Sequence, residues 1–399
     1  MDRRYFLKLL AGASALAVSS CAGNAASSRT PRIAEKPAAG GPAEVFAAGV
    51  EKDSPEQLIK HAVRDTAEAA TDFSWLYPGD VVFIKPVLNS GYPYPSTTSP
   101  VAIAAMVELL REKGAARVIV GDMSGVEHVK LSPDGLKGSS RSLMEKSGMA
   151  EAVQASGAEL HFFEEAGWDA FYEETPTAGD CWNGGLMMPK ILKEADHIVL
   201  MPRCGRHVLA GSTLGLKAAV GYWRADTRLE YHHNASTFHE KTAEANTVET
   251  LLKKQRLVLT AADRILTTFG PDKGYVLQPE TGLVIASTSI VAHDMVSLAW
   301  LLENRRVIPE SEQNGFLDTS TMVAGYANRY VVSMLGGFGK AMFSEPLIKN
   351  DVKSIFDDRI LNHAYHIFGG VPDVIIKDAG NPIPESLKNR LAEMTAFQG

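Results

Sequence analysis

Short apolar runs that alternate with amphipathic helical segments constrain the fold of this 399-residue chain more than any other feature of its sequence. The runs 81–85 (VVFIK), 117–121 (RVIVG) and 197–201 (HIVLM) are almost continuously apolar, which is typical of strands buried on both faces. Helical segments at 54–70 and 99–114 alternate with them. This alternation predicts an α/β fold with a mainly parallel sheet and helices on both faces.

Residues with capping preferences mark where these helices begin and end. Ser54, followed by Pro55 and by Gln57 in the capping-box position, predicts the start of the first helix. Ser99 predicts the start of the second helix, and Gly114 predicts its end. Later patterns predict strands at 158–163 and 283–287, helices at 140–156 and 289–306, mostly helical structure over 316–363, and a strand with a turn within 371–384.

The first 21 residues have the features of an export signal rather than of a membrane span. Arg3 and Arg4, in RRYFLK, resemble a twin-arginine signal, and VSSC resembles a lipobox whose Cys21 is lipidated after cleavage. A plain secretory peptide with a chance cysteine is the alternative. The prediction is a periplasmic, lipid-anchored protein whose partners include the twin-arginine translocase and the lipoprotein-processing machinery, and whose membrane contact is the lipid alone.

The rest of the chain divides into a linker and one large folded part. Residues 22–45 are rich in Ala, Ser, Pro and Gly, and they predict a flexible linker. Residues 46–399 then form an α/β domain. Because this length exceeds the usual size of a single core, two lobes at 46–240 and 241–399 are an option.

Charge and cysteine content exclude several classes of partner and cofactor. The net charge is −7 and there is no basic run, which argues against nucleic acid as a partner. Apart from Cys21 the chain has Cys181 and Cys204 and no CxxC pair, so no iron–sulfur cluster is expected. A disulfide between those two cysteines is compatible with an oxidising compartment, but the sequence does not establish it.

Polar and small residues follow three of the predicted strands, where ligands bind in parallel sheets. Lys85 and Asn89 lie in KPVLN, Asp122, Ser124 and Gly125 lie in GDMSG, and the third loop is PRCGRH. These residues predict a small-molecule or cofactor site, with backbone amides and a carboxylate available to it. The alternatives are that the lysine only terminates a strand and that the aspartate only forms a turn.

The segment RHVLAGSTLGLKAAVGY carries the strongest signal for chemistry. His207 and Lys217 are its long polar side chains among Gly, Ala, Ser, Thr and aliphatic residues, and a lysine desolvated there can become a nucleophile or a base. The alternative is a short, tightly packed helix with Lys217 solvated at its rim. His232 lies in the histidine-rich segment YHHNASTFHEK and is the predicted metal ligand. Asp263 and Asp294 are further candidates for cofactor binding. Surface histidines and a helix-capping aspartate are the alternatives for these last assignments.

The order of IKPVLN, GDMSG, HVLAGSTLGLKAAVGY and AADRILTTFGPDKG resembles the bacterial and archaeal family called domain of unknown function 362 (DUF362). The resemblance runs from about residue 46 to near the C-terminus, and the third segment is its most specific part. Many members of that family carry a ferredoxin-like cluster domain. This chain lacks the cysteines for one, so the resemblance does not imply electron transfer.

A more distant similarity is to the lactate racemase family, through the order His207, Ala210-Gly211, Lys217 and His232. It implies a two-lobed architecture like that of lactate racemase and a nickel-pincer nucleotide attached to Lys217, with His232 as a nickel ligand. A divalent metal alone is the other cofactor option. His207 and His128 would be the acid–base residues, and the chemistry would be hydride removal and return at a hydroxyl-bearing carbon.

Two functional hypotheses follow. The first is a cofactor- or metal-dependent isomerase or oxidoreductase that acts on a small hydroxy- or carboxylate-bearing molecule. The second is a non-catalytic lipoprotein that binds a small molecule or assists assembly of another exported protein. Convergence of Lys85, His207, Lys217, His232 and Asp263 in one cleft is the expectation that a structure can examine.

Overall fold

The computed structural model describes residues 38–233, 235–313 and 352–397. The strands are β1 (Ala39–Glu51), β2 (Val81–Pro86), β3 (Arg117–Asp122), β4 (Lys130–Ser132), β5 (Gly135–Lys137), β6 (Glu159–Phe162), β7 (Phe171–Glu174), β8 (Leu186–Pro189), β9 (His197–Met201), β10 (Gly205–His207), β11 (Gly211–Thr213), β12 (Gln255–Ala262), β13 (Ile265–Leu266), β14 (Val276–Leu277), β15 (Thr281–Ser287) and β16 (Val371–Asp378).

The α-helices are α1 (Glu56–Ala70), α2 (Pro100–Glu112), α3 (Ser140–Ser147), α4 (Met149–Ala155), α5 (Ile191–Glu194), α6 (Gly215–Ala218), α7 (Ala225–His233), α8 (Phe238–Glu244), α9 (Glu249–Lys254), α10 (Ile290–Arg305), α11 (Arg359–Ile367) and α12 (Glu385–Thr395). Short 3-10 turns occupy Ala219–Tyr222, Ala235–Thr237, Ala245–Thr247, Glu310–Glu312 and Ile355–Asp357.

An eight-stranded sheet organises the fold, with the order β16-β1-β15-β12-β9-β2-β3-β6. Every neighbouring pair is parallel except the two made by β15, which is antiparallel to β1 and to β12. A smaller four-stranded sheet has the order β11-β10-β13-β14. The prediction of a mainly parallel sheet is therefore confirmed.

Apolar cores lie on both faces of the large sheet. Val82 and Ile84 of β2 pack with α1 and α2, whereas Phe83 between them belongs to the core that includes α10. Successive side chains of a strand point to opposite faces, so a strand that is apolar at every position must be covered on both sides. The prediction of helices on both faces is confirmed for the same reason.

The predicted helix boundaries are partly confirmed. Ser99 caps α2 by accepting from the Ala102 amide at 3.3 Å. The predicted capping box at Ser54 is wrong, because α1 begins after Pro55 without a side-chain cap. The predicted helix 140–156 is divided at Gly148, whose φ of +81° ends one helix in the left-handed conformation that glycine adopts most easily.

The first strand corrects the predicted linker. Because β1 already begins at Ala39 and pairs with β16, residues 39–45 are part of the sheet and not of a flexible linker. The signal peptide with Arg3, Arg4 and Cys21, the rest of the linker, and most of the predicted helical stretch 316–363 lie outside the described residues. Among the helices that are described, none has the length and apolar character required to cross a membrane.

The large sheet also bears on the two predicted lobes. It joins β1, β2, β3, β6 and β9 to β12, β15 and β16, so strands from both sides of residue 240 share it. From residue 38 onward the described chain forms one unit. The boundary at 240 therefore does not separate two sheets.

Candidate functional site

A hairpin and a short helix position Lys217. Strands β10 and β11 pair with His207 opposite Gly211, and α6 begins directly after them. The Asp294 carboxylate accepts the Gly215 and Leu216 amides of α6, each at 2.8 Å. A Cβ at Gly215 would lie 2.8 Å from the Asp294 Oδ1, so glycine is required for this approach. Asp294, predicted to bind a cofactor, holds the helix that carries Lys217.

The Lys217 amine lies over a pair of aromatic rings. Its Nζ is 5.7 Å from the ring centre of Tyr231 and 5.9 Å from that of Phe238, and the two rings stack at 4.2 Å. In the described chain no hydrogen-bond acceptor or carboxylate contacts this amine. Burial, with the charges of Arg203 and Arg228, lowers the pKa of Lys217 to about 7. A large fraction of this amine is therefore neutral at physiological pH.

His207 lies near Lys217 and has a defined tautomer. Its Nδ1 accepts the Leu209 and Ala210 amides at 3.1 and 3.3 Å, so the proton of the neutral ring is on Nε2. Burial lowers the pKa of His207 well below its usual value, and the charge of Lys217 lowers it further. The neutral imidazole therefore offers a hydrogen-bond donor at Nε2.

His232 has the opposite tautomer. Its Nδ1 lies 2.6 Å from the Arg228 carbonyl oxygen, which only accepts, so Nδ1 carries the proton and Nε2 holds a lone pair. Burial lowers the pKa of His232 to about 3, with a smaller effect of Lys217. His239, which we did not select from the histidine-rich segment, is buried, and burial lowers its pKa to about 3 as well. The structure thus brings three neutral imidazoles and one amine together.

This cluster is not a preformed metal site made by protein ligands alone. Among the described residues, three metal-ligating side chains come together at Asp180, Cys181 and Glu244, and His232 is not among them. The Glu244 carboxylate there is bonded to His363 Nε2 at 3.0 Å. The disulfide left open by the sequence is absent, since Cys181 and Cys204 are both free.

Lys85 and Asp122 form a buried ion pair that ties two strand-end loops together. Lys85 Nζ lies 2.9 Å from Asp122 Oδ1 and donates to the Pro86 carbonyl at 2.7 Å. Asp122 also accepts the Leu88 and Met123 amides, each at 2.8 Å. Burial lowers the pKa of Lys85, although Asp122 opposes this effect. Lys85 is fully buried, so it does not extend out of the sheet to solvent, and both side chains form their contacts within the protein.

Arg228 connects these loops to the helix that carries His232. Its guanidinium donates to the backbone carbonyls of Met123, Ser124, Gly221 and Trp223 at 2.6–2.8 Å. Ser124 therefore contributes its carbonyl, while its buried hydroxyl has no hydrogen-bond partner in the described structure. Sequence analysis did not select Arg228, because a lone arginine in a helix is usually exposed.

The remaining predicted residues lie in two other groups. Asn89 donates to Asp272 at 2.7 Å and accepts the Gly125 amide at 3.0 Å through its backbone carbonyl. His128 Nε2 is 3.8 Å from the second Asp272 oxygen, and in the described chain no contact joins His128 to His207 or Lys217. Tyr94 donates to Asp263 at 2.7 Å. The expected convergence therefore holds for His207, Lys217 and His232, and no contact extends it to Lys85 or Asp263.

A small cavity adjoins the cluster. Ser212, Lys217, Asp294 and Asp358 line it together with leucine and isoleucine side chains. Asp358, which sequence analysis missed, caps α11 and accepts from Ser212 Oγ at 3.3 Å. Burial raises the pKa of this carboxyl to about 6. It lies about 140 residues after Lys217 in the sequence, so nothing local connects the two.

Asp358 is expected to make stability depend on pH. Its folded pKa of about 6 exceeds the unfolded value of about 4, so the folded state retains a proton that the unfolded state releases. The free energy of unfolding therefore falls as pH rises from about 4 to about 6, by about 3 kcal/mol. Asp358→Asn keeps the helix cap and cannot ionise. Urea titrations at pH 4 and pH 7 should show a smaller decrease in the free energy of unfolding for Asp358→Asn than for wild-type protein. Equal decreases in the two proteins would contradict the raised pKa of Asp358.

Comparison with protein families identifies a match over more than half of the chain. A family model described as domain of unknown function (DUF362) matches residues 82–299, which includes the segment with His207, Lys217 and His232. Comparison with curated proteins gives no match.

Two solved structures are similar to this chain at low identity. The lactate racemase apoprotein from Thermoanaerobacterium thermosaccharolyticum has 14% identity and a TM-score of 0.37, covering 62% of this chain and 54% of its own. A Thermotoga maritima protein has 15% identity and a TM-score of 0.35, covering 54% and 52%. The similarity thus spans about half the length of each of these two proteins.

Proposed function

The chain belongs to the DUF362 family, and we propose that it is an enzyme, an isomerase or oxidoreductase that acts on a small hydroxy- or carboxylate-bearing molecule. One observation carries the proposal: the Lys217 amine has a pKa of about 7 and no partner among the described residues. An unpaired, neutral lysine is a strong nucleophile and base, and it is costly to keep in a packed site without a use.

The surrounding imidazoles supply complementary proton positions. His207 presents Nε2–H and can donate to a substrate oxygen, whereas His232 presents an Nε2 lone pair and can accept a hydrogen bond from a substrate hydroxyl. Because both rings are kept neutral by burial, each tautomer persists at pH 7. The imidazoles can therefore hold a hydroxyl group, while the Lys217 amine, with a pKa of about 7, is the group that can take up its proton.

The nickel-pincer nucleotide implied by the lactate racemase resemblance fits this site only in part. The amine of Lys217 suits covalent attachment, and Nε2 of His232 suits a metal. The cavity beside Lys217 is much smaller than the pockets that enclose a nucleotide-sized ligand. The nucleotide part of that group does not fit the cavity, so no step proposed here depends on it.

We also propose that the protein is exported and held on the periplasmic side by a lipid on Cys21. The support for this is the sequence pattern of Arg3, Arg4 and VSSC alone. A small-molecule substrate and the export and lipidation machinery are its proposed partners.

The proposed reaction is tested on protein purified from its own host. We expect interconversion or oxidation of at least one small 2-hydroxy acid, followed by chiral chromatography, and no turnover by Lys217→Met. Intact mass and metal analysis of the same sample establish whether Lys217 carries a group. The matched control is Lys253→Met, an exposed lysine paired with Glu249, which should retain full activity. Binding without turnover would instead favour the non-catalytic lipoprotein, and activity in Lys217→Met would remove the lysine from the mechanism.

A further inference from the structure

Arg203 is a buried arginine whose hydrogen-bonding capacity is mostly unused. It follows β9 in the PRCGRH loop, and its relative exposure is 1%. Its Nη1 donates to the Pro95 carbonyl at 3.2 Å, while Nε and Nη2 have no partner among the described residues. Leaving buried donors of a charged group unpaired is strongly unfavourable, so such groups are rare unless a ligand supplies the acceptor.

The described chain supplies no counter-charge in contact with Arg203. Asp272 is the carboxylate that acts on it electrostatically, and this carboxylate is already bonded to Asn89 at 2.7 Å. Burial lowers the pKa of Arg203 to about 10, which leaves the guanidinium charged at neutral pH. The guanidinium is therefore charged, and none of the described carboxylates is hydrogen-bonded to it.

Arg228 shows what a structural arginine looks like in the same region. It is equally buried, but its guanidinium makes four hydrogen bonds to backbone carbonyls that tie loops together. Arg203 has one such bond on one nitrogen. A role in packing accounts for Arg228 and leaves two nitrogens of Arg203 unexplained.

The charged neighbours of Arg203 are those of the reactive cluster. A Cβ on Gly205 would lie 3.2 Å from Arg203 Nη1, so the guanidinium packs against β10, the strand that also carries His207. The positive charge of Arg203 also lowers the pKa of both Lys217 and His207. Asp122, one of the two carboxylates that act on Arg228, is paired with Lys85. None of the described carboxylates is hydrogen-bonded to Arg203, and an anionic ligand would supply that acceptor.

We propose that Arg203 binds an oxyanion of the substrate, a carboxylate or a phosphate, beside Lys217. Two adjacent guanidinium nitrogens match the two oxygens of such a group, which fixes the ligand in one orientation. The opposite end of the molecule then lies toward Lys217 and the imidazoles. The chemistry assigned to that end rests on the proposed function, whereas the binding of the anion does not.

The test is calorimetric titration of the full chain with acetate and with inorganic phosphate at constant ionic strength, with chloride as the reference anion. Wild-type protein should bind one of the two oxyanions, and the stronger of them identifies the ligand as carboxylate or phosphate. Arg203→Met should weaken binding about 10- to 100-fold, the range for hydrogen bonds to a charged group. Arg203→Lys keeps the positive charge but lacks the two adjacent guanidinium nitrogens, so it should give an intermediate loss of binding affinity. The control is Arg141→Met, whose arginine is paired with Glu165 at the surface.

A second readout locates the bound anion. Cyanate modification of Lys217, followed by peptide mass spectrometry, should slow when the anion binds, because a nearby negative charge favours the ammonium form. This protection should be absent in Arg203→Met and unchanged in Arg141→Met. Binding of equal strength in Arg203→Met, or no binding to wild-type protein, overturns the inference. If Arg203→Met does not fold, full-strength binding by Arg203→Lys overturns it.

The two proposals fail separately. If Lys217 titrates near pH 7 but the protein binds neither oxyanion, the proposed role of Arg203 is wrong and the proposed function stands. If oxyanion binding depends on Arg203 but Lys217 behaves as an ordinary lysine, the anion site is supported and the proposed reactive amine is wrong.

Discussion

Lys217 is expected to react with cyanate at pH 7 on the order of a thousandfold faster than ordinary exposed lysines. Only the neutral amine is nucleophilic, and about half of an amine with a pKa of about 7 is neutral at that pH, against a very small fraction for an amine near 10.4. Lys217 is partly buried, so a reagent as small as cyanate can reach it. Peptide mass spectrometry of briefly treated protein across pH 5 to 10 gives the rate at each lysine.

The pH profile separates this expectation from a merely accessible lysine. The rate at Lys217 should rise up to about pH 7 and then level, whereas the rate at a lysine with an ordinary pKa near 10.4 continues to rise above pH 9. His207→Ala is informative, because it removes a neighbour without altering the aromatic pair beneath the amine. A profile at Lys217 parallel to that of the exposed lysines would refute the proposed reactive amine.

Asp294→Ala is expected to reduce the free energy of unfolding by about 3–5 kcal/mol. The carboxylate accepts two backbone amides of α6 and lies 2.9 Å from His293 Nδ1, and it is 2% exposed. Alanine leaves all of these groups without their acceptor in a site that water does not enter freely. Urea unfolding followed by tryptophan fluorescence measures the change.

Two variants make the Asp294 result specific. Asp294→Asn retains one acceptor oxygen but places an amide nitrogen against a donor. It should therefore reduce the free energy of unfolding by less than Asp294→Ala does. Asp226→Ala removes a partly exposed carboxylate paired with Arg224, and it should cost about 1 kcal/mol or less. Cyanate reactivity of Lys217 should also fall in Asp294→Ala, because the helix that carries the lysine loses its anchor. Equal stability of Asp294→Ala and Asp226→Ala would show that the anchor is unimportant.

The elements that sequence patterns predicted well are those whose local signal is strong. Continuous apolar runs such as 81–85 and 197–201 have no stable place except a strand covered on both faces, so the sheet was predictable. The start of β1 was not, because AGGPAE has no apolar period and is ordered through its pairing with β16. The break at Gly148 and the absence of a cap at Ser54 depend on backbone angles that an amphipathic pattern does not encode.

The candidate site divides in the same way. His207 and Lys217 were found because they are the long polar side chains in a segment of small residues, and His232 because it lies in a histidine-rich segment, and the three do lie together. Arg203 was missed, although its loop was noted, since an arginine is exposed by default and only packing reveals that it is buried. Asp358 was missed because it reaches the cavity from a distant helix.

The sequence by itself determined the α/β class, the family and the short segment that carries the amine and His207, because hydrophobic period and local composition are properties of neighbouring residues. Only the tertiary structure decided the tautomers of His207 and His232 and the lowered pKa of Lys217. It also decided the ion pair between Lys85 and Asp122 and left two guanidinium nitrogens of Arg203 without hydrogen-bond partners. Each of these depends on burial and on partners brought from far along the chain, and desolvation and hydrogen bonding act through space rather than through sequence.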